Sequence, residues 1–260
     1  MRVLAVANQK GGVGKTTTAV TLAALMAERL RVVLIDLDPQ ASATKWLCGF
    51  KTVISPSVAS VLRPEGAGGA PMSLESVLLP TAVEGLRVAP SALDMAVLEP
   101  QLMTVVDREY ILRGAIEEFA ETESCDLVVI DTPPSLGVLT INGLTAAETV
   151  VIPVEANALS AAGLTDILRT IDALKRRANP GLNVFGVLPV RVRRTNLAEA
   201  TIAGLARGLG EGGRVLAFIP EAIAAQEAAQ QGVSLAAYAP SNRATTAYRT
   251  VMGELLREVA

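Results

Sequence analysis

One short segment near the start of the chain constrains the fold more than any other feature. Residues 2–8 form an apolar run, and residues 15–30 lack proline and glycine and are typical of a helix. Between them lies KGGVGKTT, residues 10–17. A glycine-rich turn from a buried strand into a helix points backbone N–H groups at one spot, and the helix dipole adds positive charge there. The segment therefore predicts a phosphate-binding loop in an α/β protein.

Each residue type in this loop suits a nucleoside triphosphate. Glycines let the backbone approach a ligand where a Cβ would clash, Lys15 is placed for the β- and γ-phosphates, and Thr16 offers a hydroxyl to Mg²⁺. Gln9 replaces the first glycine of the common G-x-x-x-x-G-K-[ST] pattern, and the additional Lys10 makes this a deviant Walker A loop. We predict ATP and Mg²⁺ as ligands. The expected nucleotide contacts in the loop are Lys10, Gly11, Gly12, Val13, Gly14, Lys15, Thr16 and Thr17.

Two aspartates follow a second apolar run, residues 31–37. Alternation along a strand puts Asp36 and Asp38 on the same side, and ligands of open α/β sheets bind at the carboxyl ends of the strands. We expect Asp38 to orient an attacking water and Asp36 to lie near Mg²⁺ or its water shell. The alternative is that one of the two only caps the following turn.

A third aspartate, Asp131, directly follows the apolar residues 127–130. Four apolar residues followed by aspartate have the Walker B form, so Asp131 is predicted to hold Mg²⁺ through water. The next residues, Pro133 and Pro134, lack N–H groups and stiffen the chain. This stiffness suits a segment that senses the γ-phosphate, although a rigid structural turn would have the same sequence.

Alternating strand and helix patterns predict the fold class. Continuous apolar runs indicate strands that are buried on both faces of a parallel sheet. The predicted strands are residues 2–8, 31–37, 86–89, 127–130, 149–154, 183–189 and 214–219. The predicted helices are residues 15–30, 107–122, 163–178, 197–209 and 241–259. We expect one domain over residues 1–260, a doubly wound α/β fold of the P-loop NTPase type with a mainly parallel sheet and helices on both faces.

Composition excludes several functional classes. The chain has no histidine, which removes Ser-His-Asp and Cys-His mechanisms and most transition-metal sites. Cys48 and Cys125 are far apart and fit no zinc or disulfide spacing, as expected in a reducing cytoplasm. No apolar run reaches about 18 residues, so we predict no membrane span. Residues 1–168 carry 11 basic and 19 acidic side chains, whereas residues 169–260 carry 12 and 7; a basic C-terminal third could face a polyanion, but ordinary surface scatter accounts for the charges alone.

Longer sequence matches accompany these motifs. They are ANQKGGVGKTTTAV at 7–20, VLIDLDPQASAT at 33–44, DLVVIDTPPSLGVLT at 126–140 and VIPVEANALSAAGL at 151–164. On these residues the chain resembles the ParA/Soj partition ATPases of the MinD-ParA group, and weaker matches extend to residue 244. The resemblance implies an ATP-dependent sandwich homodimer that binds DNA without sequence preference in the cytoplasm, on the nucleoid. A ParB/Spo0J-like partner would stimulate hydrolysis and release the DNA, which segregates chromosome or plasmid copies.

The same resemblance assigns roles to single residues. Lys10 would cross to the ATP of the facing subunit, so Lys10, Lys15 and Asp38 form the expected catalytic set. The resemblance does not identify the residues that contact adenine, and the predicted strand ends Pro189-Val190-Arg191 and Pro220-Glu221 are the candidates, with Pro220 expected near the nucleotide. The predicted DNA-binding residues are Arg191, Arg193, Arg194 and Arg243. Arg194 matches a family arginine best, whereas Ala224 stands where a second one is expected. The helix-turn-helix of longer plasmid-type relatives does not precede the first strand, so operator-specific repression is not expected.

Four other functions share parts of this pattern. A MinD-like membrane-positioning ATPase would end in a basic amphipathic helix, whereas the tail VMGELLREVA has mixed charge. A redox partner like the nitrogenase iron protein needs two cysteines at a dimer face. A small-molecule ligase or synthetase would need a substrate pocket from inserted segments, and only residues 63–72 suggest an inserted loop. A binding module without turnover remains an alternative if hydrolysis is negligible.

Overall fold

A mostly parallel sheet forms the centre of the computed structural model of this chain, which describes residues 1–64, 69–156, 160–193, 195–209 and 213–259. Its strands are β1 Arg2–Val6, β2 Val32–Asp36, β3 Leu79–Pro80, β4 Leu86–Ala89, β5 Leu127–Asp131, β6 Thr149–Glu155 and β7 Asn183–Val190. Their order is β3-β4-β2-β5-β1-β6-β7, and β3 runs antiparallel to β4. The central position of β1 puts the glycine-rich loop that follows it in the middle of the carboxyl edge.

The described helices surround this sheet. They are α1 Lys15–Ala27, α2 Ser42–Cys48, α3 Val58–Val61, α4 Leu74–Val77, α5 Asp94–Leu102, α6 Ile111–Thr122, α7 Val138–Ala146, α8 Ser160–Arg177, α9 Asn196–Gly208, α10 Ala224–Gln231, α11 Leu235–Tyr238 and α12 Arg243–Val259. None of them, in the ranges given above, is long and apolar enough to cross a membrane.

Two hydrophobic cores lie on opposite faces of the sheet. Along β1, Val3 and Ala5 pack into one core, and Leu4 and Val6 pack into the other. Helices α3 to α9 contribute to the first core, and α1, α2, α10, α11 and α12 contribute to the second. Because both faces are covered, the strands are apolar without alternation. The predicted doubly wound α/β class is confirmed.

Three predicted segments differ in detail from the structure. Residues 214–219 do not form a regular strand, because they meet β7 through the isolated bridge Val187–Val215 and the hydrogen bond from Ile219 N to Pro189 O, and the next bridge, Val192–Pro220, lies beyond both segments. Proline at 189 and 220 cannot donate a ladder hydrogen bond, which interrupts regular pairing. The helix expected from residue 107 begins at Ile111, after a 3-10 turn, Arg108–Tyr110. The loop expected at 63–72 lies partly outside the described residues.

The start of α12 resolves a choice that the sequence left between two cap residues. Ala244 N donates to Asn242 Oδ1 at 2.9 Å, and Thr246 N donates to Asn242 O at 3.0 Å. An asparagine oxygen that accepts from the second residue of a helix satisfies a donor that the helix cannot use. Asn242 is therefore the N-cap, rather than Ser241.

Candidate functional site

The glycine-rich loop joins β1 to α1 in the backbone conformation that its glycines permit. Gly12 and Gly14 both have φ of +74°, in the left-handed region, and Gly14 is the residue that begins α1. A side chain at either position would be strained, whereas glycine is not. A Cβ on Gly14 would make an ordinary contact with Val190 at 3.6 Å, so the backbone conformation and not the space favours glycine there. The loop conformation therefore depends on these two glycines.

Lys15 crosses this loop with its side chain buried. Its Nζ donates to Lys10 O at 3.0 Å, and the residue is 6% exposed. Burial lowers the pKa of Lys15, while the charges of Asp131 and Asp38 act in the opposite direction. No ion pair of Lys15 occurs in the described part of the chain. An ammonium with two carboxylates nearby but none in contact is placed to receive an anion, whose charge would offset the cost of burial.

Asp131 ends β5 beside the last residues of two neighbouring strands. Val6 of β1 and Asp36 of β2 are its register partners. Its carboxylate is completely buried, and within the described ranges neither oxygen accepts a hydrogen bond of regular geometry, although the Thr16 hydroxyl acts on it as a donor. Burial raises the pKa of Asp131 well above its usual range, the Asp36 carboxylate adds to this, and the Thr16 hydroxyl opposes it.

An unpartnered buried carboxylate near a hydroxyl fits a hard cation. Mg²⁺ prefers oxygen ligands and commonly retains several waters, so one or two protein oxygens suffice. The described residues contain no group of three or more acidic or thiol side chains placed to hold an ion alone. The predicted magnesium residues Thr16 and Asp131 lie together, and their donor set fits an ion shared with water and phosphate oxygens.

Hydrogen bonds from nearby residues reach both carboxylate oxygens of Asp36. Its Oδ2 accepts from Thr44 N and Thr44 Oγ1, both at 2.8 Å, and its Oδ1 accepts from Asp38 N at 3.1 Å. Burial raises the pKa of Asp36 to about 6, although the hydrogen bonds from Thr44 lower it. Oδ2 therefore caps the first turn of α2, whereas Oδ1 accepts from the chain directly after β2. Asp36 thus has the capping role that the sequence left open, and it also lies beside Asp131 in register, so its place near Mg²⁺ or the water shell stays a prediction.

Asp38 lies after the end of β2 and faces the same cavity as the phosphate loop. Its Oδ1 accepts from Gln40 N at 2.9 Å, and the residue is 8% exposed. The cavity has a volume of about 500 Å³ and is also lined by Thr16, Thr17 and Pro220. This size is within the range of small-molecule pockets. The predicted water-orienting residue and most of the predicted nucleotide contacts therefore share one cleft.

Aromatic residues that the sequence reasoning missed form the far wall of this cleft. Trp46 Nε1 donates to Val233 O at 2.8 Å, and the Tyr248 hydroxyl lies 3.0 Å from Thr18 Oγ1. Burial raises the pKa of Tyr248 to about 12. Trp46 is the one tryptophan of the chain, and that rarity was the available signal. The first bond joins α2 to the turn between α10 and α11, and the second joins α12 to α1, so both fix elements that line the cleft.

The outer edge of the loop carries a small ionic cluster. Arg191 Nη1 donates to Gly12 O and to Glu155 Oε1, both at 3.1 Å. Lys10 Nζ lies 3.4 Å from the other oxygen of Glu155. Arg191 itself has φ of +54°, an uncommon conformation for a residue with a long side chain. Arg191, predicted to bind DNA, is therefore placed against the phosphate loop.

Of the other predicted DNA-binding arginines, the structure describes Arg193 and Arg243. Arg193 makes two hydrogen bonds to the Glu221 carboxylate, at 2.6 and 3.2 Å, so its charge is paired. Arg243 is exposed at the first turn of α12. Arg194 lies outside the described residues, and Ala224 begins α10. DNA binding by Arg193, Arg194 and Arg243 stays a prediction.

Comparison with known proteins agrees with this arrangement. Residues 1–184 match the model of a family described as an AAA domain. The sporulation initiation inhibitor protein Soj of Bacillus subtilis is 35% identical over 262 residues, covering 100% of this chain and 98% of Soj. The chromosome partitioning protein ParA of Caulobacter vibrioides is 37% identical over 259 residues, covering 98% and 94%.

One similar solved structure is named for an activity other than partition. Cobyrinic acid a,c-diamide synthase from Mycobacterium smegmatis, with a bound ATP analogue and magnesium, has a TM-score of 0.83 and 36% identity, covering 99% of this chain and 95% of that one. Its likeness supports the fold. The chain is 35% and 37% identical to the two partition proteins over nearly its whole length, and the family model matches residues 1–184. These matches show to which family the chain belongs. The chain therefore belongs to the ParA/Soj family of partition ATPases.

Proposed function

We propose that this chain hydrolyses ATP with Mg²⁺ and that its ATP-bound homodimer binds DNA without sequence preference. Hydrolysis, stimulated by a ParB/Spo0J-like partner, then releases the DNA and segregates chromosome or plasmid copies on the nucleoid. The observation that carries the proposal is the buried, unpartnered Asp131 carboxylate beside Lys15 at the end of a glycine-rich loop. This pair of opposite charges suits a magnesium-phosphate group, which would satisfy both.

Each residue at the phosphate loop and the cleft has a separate role in phosphoryl transfer. Thr16 and Asp131 would hold Mg²⁺, Asp131 through water, and the ion supplies charge neutralisation at the phosphate oxygens. Lys15 offsets the negative charge that develops on the β- and γ-phosphates, and Thr17 supports the α-phosphate side. Asp38 accepts a hydrogen bond from the attacking water and orients it in line with the γ-phosphate.

Lys10 makes the nucleotide site depend on a second subunit. It lies on the outer edge of the loop, where its side chain is about one-third exposed and pairs only distantly with Glu155. A half-exposed ion pair at this distance is weak, so an incoming phosphate group can replace the carboxylate. A lysine that reaches the ATP of the facing subunit couples dimerisation to nucleotide, and the dimer doubles the basic surface that meets DNA.

A DNA titration tests this function. Fluorescence anisotropy of a labelled duplex should report tight binding with ATP and weak binding with ADP or without nucleotide, and the affinity with ATP should fall as salt rises. Asp38→Ala should retain the ATP-dependent DNA binding while phosphate release stops. Equal DNA affinity in all nucleotide states would contradict the proposal, and loss of ATP binding in the Asp38 variant would show that its role is structural.

The likeness to the cobyrinic acid a,c-diamide synthase supports a second candidate, a small-molecule amidating ligase. In that case ATP cleavage would require cobyrinic acid and would be indifferent to DNA. The same phosphate-release assay, run with cobyrinic acid in place of DNA, separates the two functions. ATP-dependent co-sedimentation with liposomes would instead favour the MinD-like alternative.

A further inference from the structure

Arg191 occupies a position that the partition mechanism above does not use. The residue directly follows β7, and the next residue, Val192, is fixed by the bridge to Pro220. Val192 N donates to Ile219 O at 3.0 Å, and Glu221 N donates to Val192 O at 3.2 Å. The backbone on both sides of Arg191 is thus held, which keeps its left-handed conformation and the direction of its side chain. Strained residues that the surroundings hold in place concentrate at ligand sites.

The guanidinium group of Arg191 lies at the mouth of the nucleotide cleft. It contacts Gly12 O, on the loop whose N–H groups would surround phosphates, and Arg191 lines the same cavity as Lys15 and Thr16. Its side chain is about half exposed. Both contacts described for it use Nη1, so the fork of the guanidinium has further donors for oxygens that enter the cleft. An arginine in this place can form paired hydrogen bonds to a phosphate.

Glu155 explains how this cation stays at the loop without a nucleotide. Its two carboxylate oxygens contact Arg191 and Lys10, so one acidic residue holds two basic ones at the outer edge. The partners are partly exposed, and such ion pairs contribute little stability, so the more highly charged phosphates can take over the arginine. Without nucleotide, the Glu155 carboxylate thus pairs with the arginine that the nucleotide phosphates would bind.

We propose that Arg191 is a phosphate-binding residue of the nucleotide site, contacting α- or β-phosphate oxygens of the nucleotide in its own subunit, and that Glu155 holds it in position until nucleotide binds. The proposal rests on the proposed ATP binding and assigns Arg191 to the nucleotide instead of to DNA. ATP and ADP share these phosphates, so both should depend on Arg191.

Calorimetric titration of MgATP and MgADP tests the assignment in four variants. Arg191→Ala should weaken both nucleotides by about tenfold to a hundredfold, the range for hydrogen bonds to charged groups, and Arg191→Lys should recover part of the loss. Glu155→Gln should bind both nucleotides at least as tightly as the unchanged chain. Arg193→Ala, a matched arginine paired with Glu221, should leave both affinities unchanged.

The outcomes separate this proposal from others. If the unchanged chain binds neither nucleotide, the proposed function itself fails. If it binds them and Arg191→Ala binds equally well, or loses affinity for MgATP alone, the assignment of Arg191 is overturned. If Glu155→Gln loses as much affinity as Arg191→Ala, the pair merely braces the loop, which also overturns it. Thermal unfolding without nucleotide identifies a variant that has not folded, and the lysine variant then replaces alanine.

Discussion

Replacing Asp131 by asparagine should stabilise the nucleotide-free protein while removing its response to magnesium. The carboxylate is completely buried, and its oxygens accept no hydrogen bond of regular geometry within the described ranges. A buried polar group without a partner costs about 1–3 kcal/mol, and a charged one costs more. Asparagine has nearly the same shape and keeps the cost of a buried polar group, so the gain is the additional cost of the charge, which we expect to be about 1–3 kcal/mol at pH 8. For a chain of this size that corresponds to a rise in Tm of about 2–10 °C.

The gain from Asp131→Asn should depend on pH with a definite sign. Burial raises the pKa of Asp131 in the folded chain, so the folded state binds the proton more tightly than the unfolded state does. Stability from this residue is therefore full below its unfolded pKa of about 3.9 and declines as pH rises towards the raised value. The advantage of the asparagine variant should be small near pH 4 and largest at pH 8 and above.

Asp126→Asn provides the matched control near the start of β5. Arg31 holds the pKa of Asp126 at about 2 through hydrogen bonds to its carboxylate. The lowered pKa of Asp126 gives the opposite pH dependence of stability. Asp126 stabilises the folded chain above pH 4, and this stabilisation is lost as pH falls towards 2. The control variant should be slightly less stable than the unchanged chain at pH 8.

Thermal unfolding with and without MgATP completes the test. A ligand at a hundred times its Kd stabilises the unchanged chain by about 2.7 kcal/mol, and the asparagine variant should lose most of this response to magnesium. The reasoning is refuted if Asp131→Asn unfolds at a lower temperature than the unchanged chain at pH 8 without ligand. An undiminished MgATP response would also refute it.

Three further substitutions test other parts of the account. Lys15→Ala should abolish binding of a fluorescent ATP analogue, because no other buried ammonium reaches the loop among the described residues, and retained affinity would contradict the reading of the loop. Thr44→Val should destabilise the chain by about 2–4 kcal/mol in urea unfolding, since Thr44 Oγ1 donates to Asp36 and accepts from Ser91 N; a loss under 1 kcal/mol would argue against the capping role. Arg194→Ala should lower DNA affinity and reduce the slope of its salt dependence by about one phosphate contact, and an unchanged slope would move the DNA surface elsewhere.

The strands of the sheet could be predicted from the sequence because they are buried on both faces. β1, β2, β5 and β6 are continuous apolar runs whose bounds differ from the structure by one or two residues. Helix α7 could not be found in this way, since nearly all of its residues are buried and no amphipathic pattern remains. Helix α2 has only seven residues, which is too short for a reliable period.

The parts of the site that belong to a local sequence motif could be predicted. Contacts between residues that lie far apart along the chain could not. The phosphate loop and Asp131 follow single strands, so the parallel sheet brings them to one edge. Alternation along β2 indicated the place of Asp36 at the carboxyl edge, but not its hydrogen bonds to Thr44, which come from a residue eight positions later. The contact between Arg191 and Glu155 joins residues 36 positions apart, and no local pattern reveals it.

Binding of MgATP to the unchanged chain tests the central claim most directly. Calorimetric titration should give saturable binding of one nucleotide per chain, and chelation of magnesium should weaken it. The absence of saturable heat at millimolar MgATP, with the protein shown to be folded, would contradict the assignment of the cleft to a nucleotide and every role derived from it.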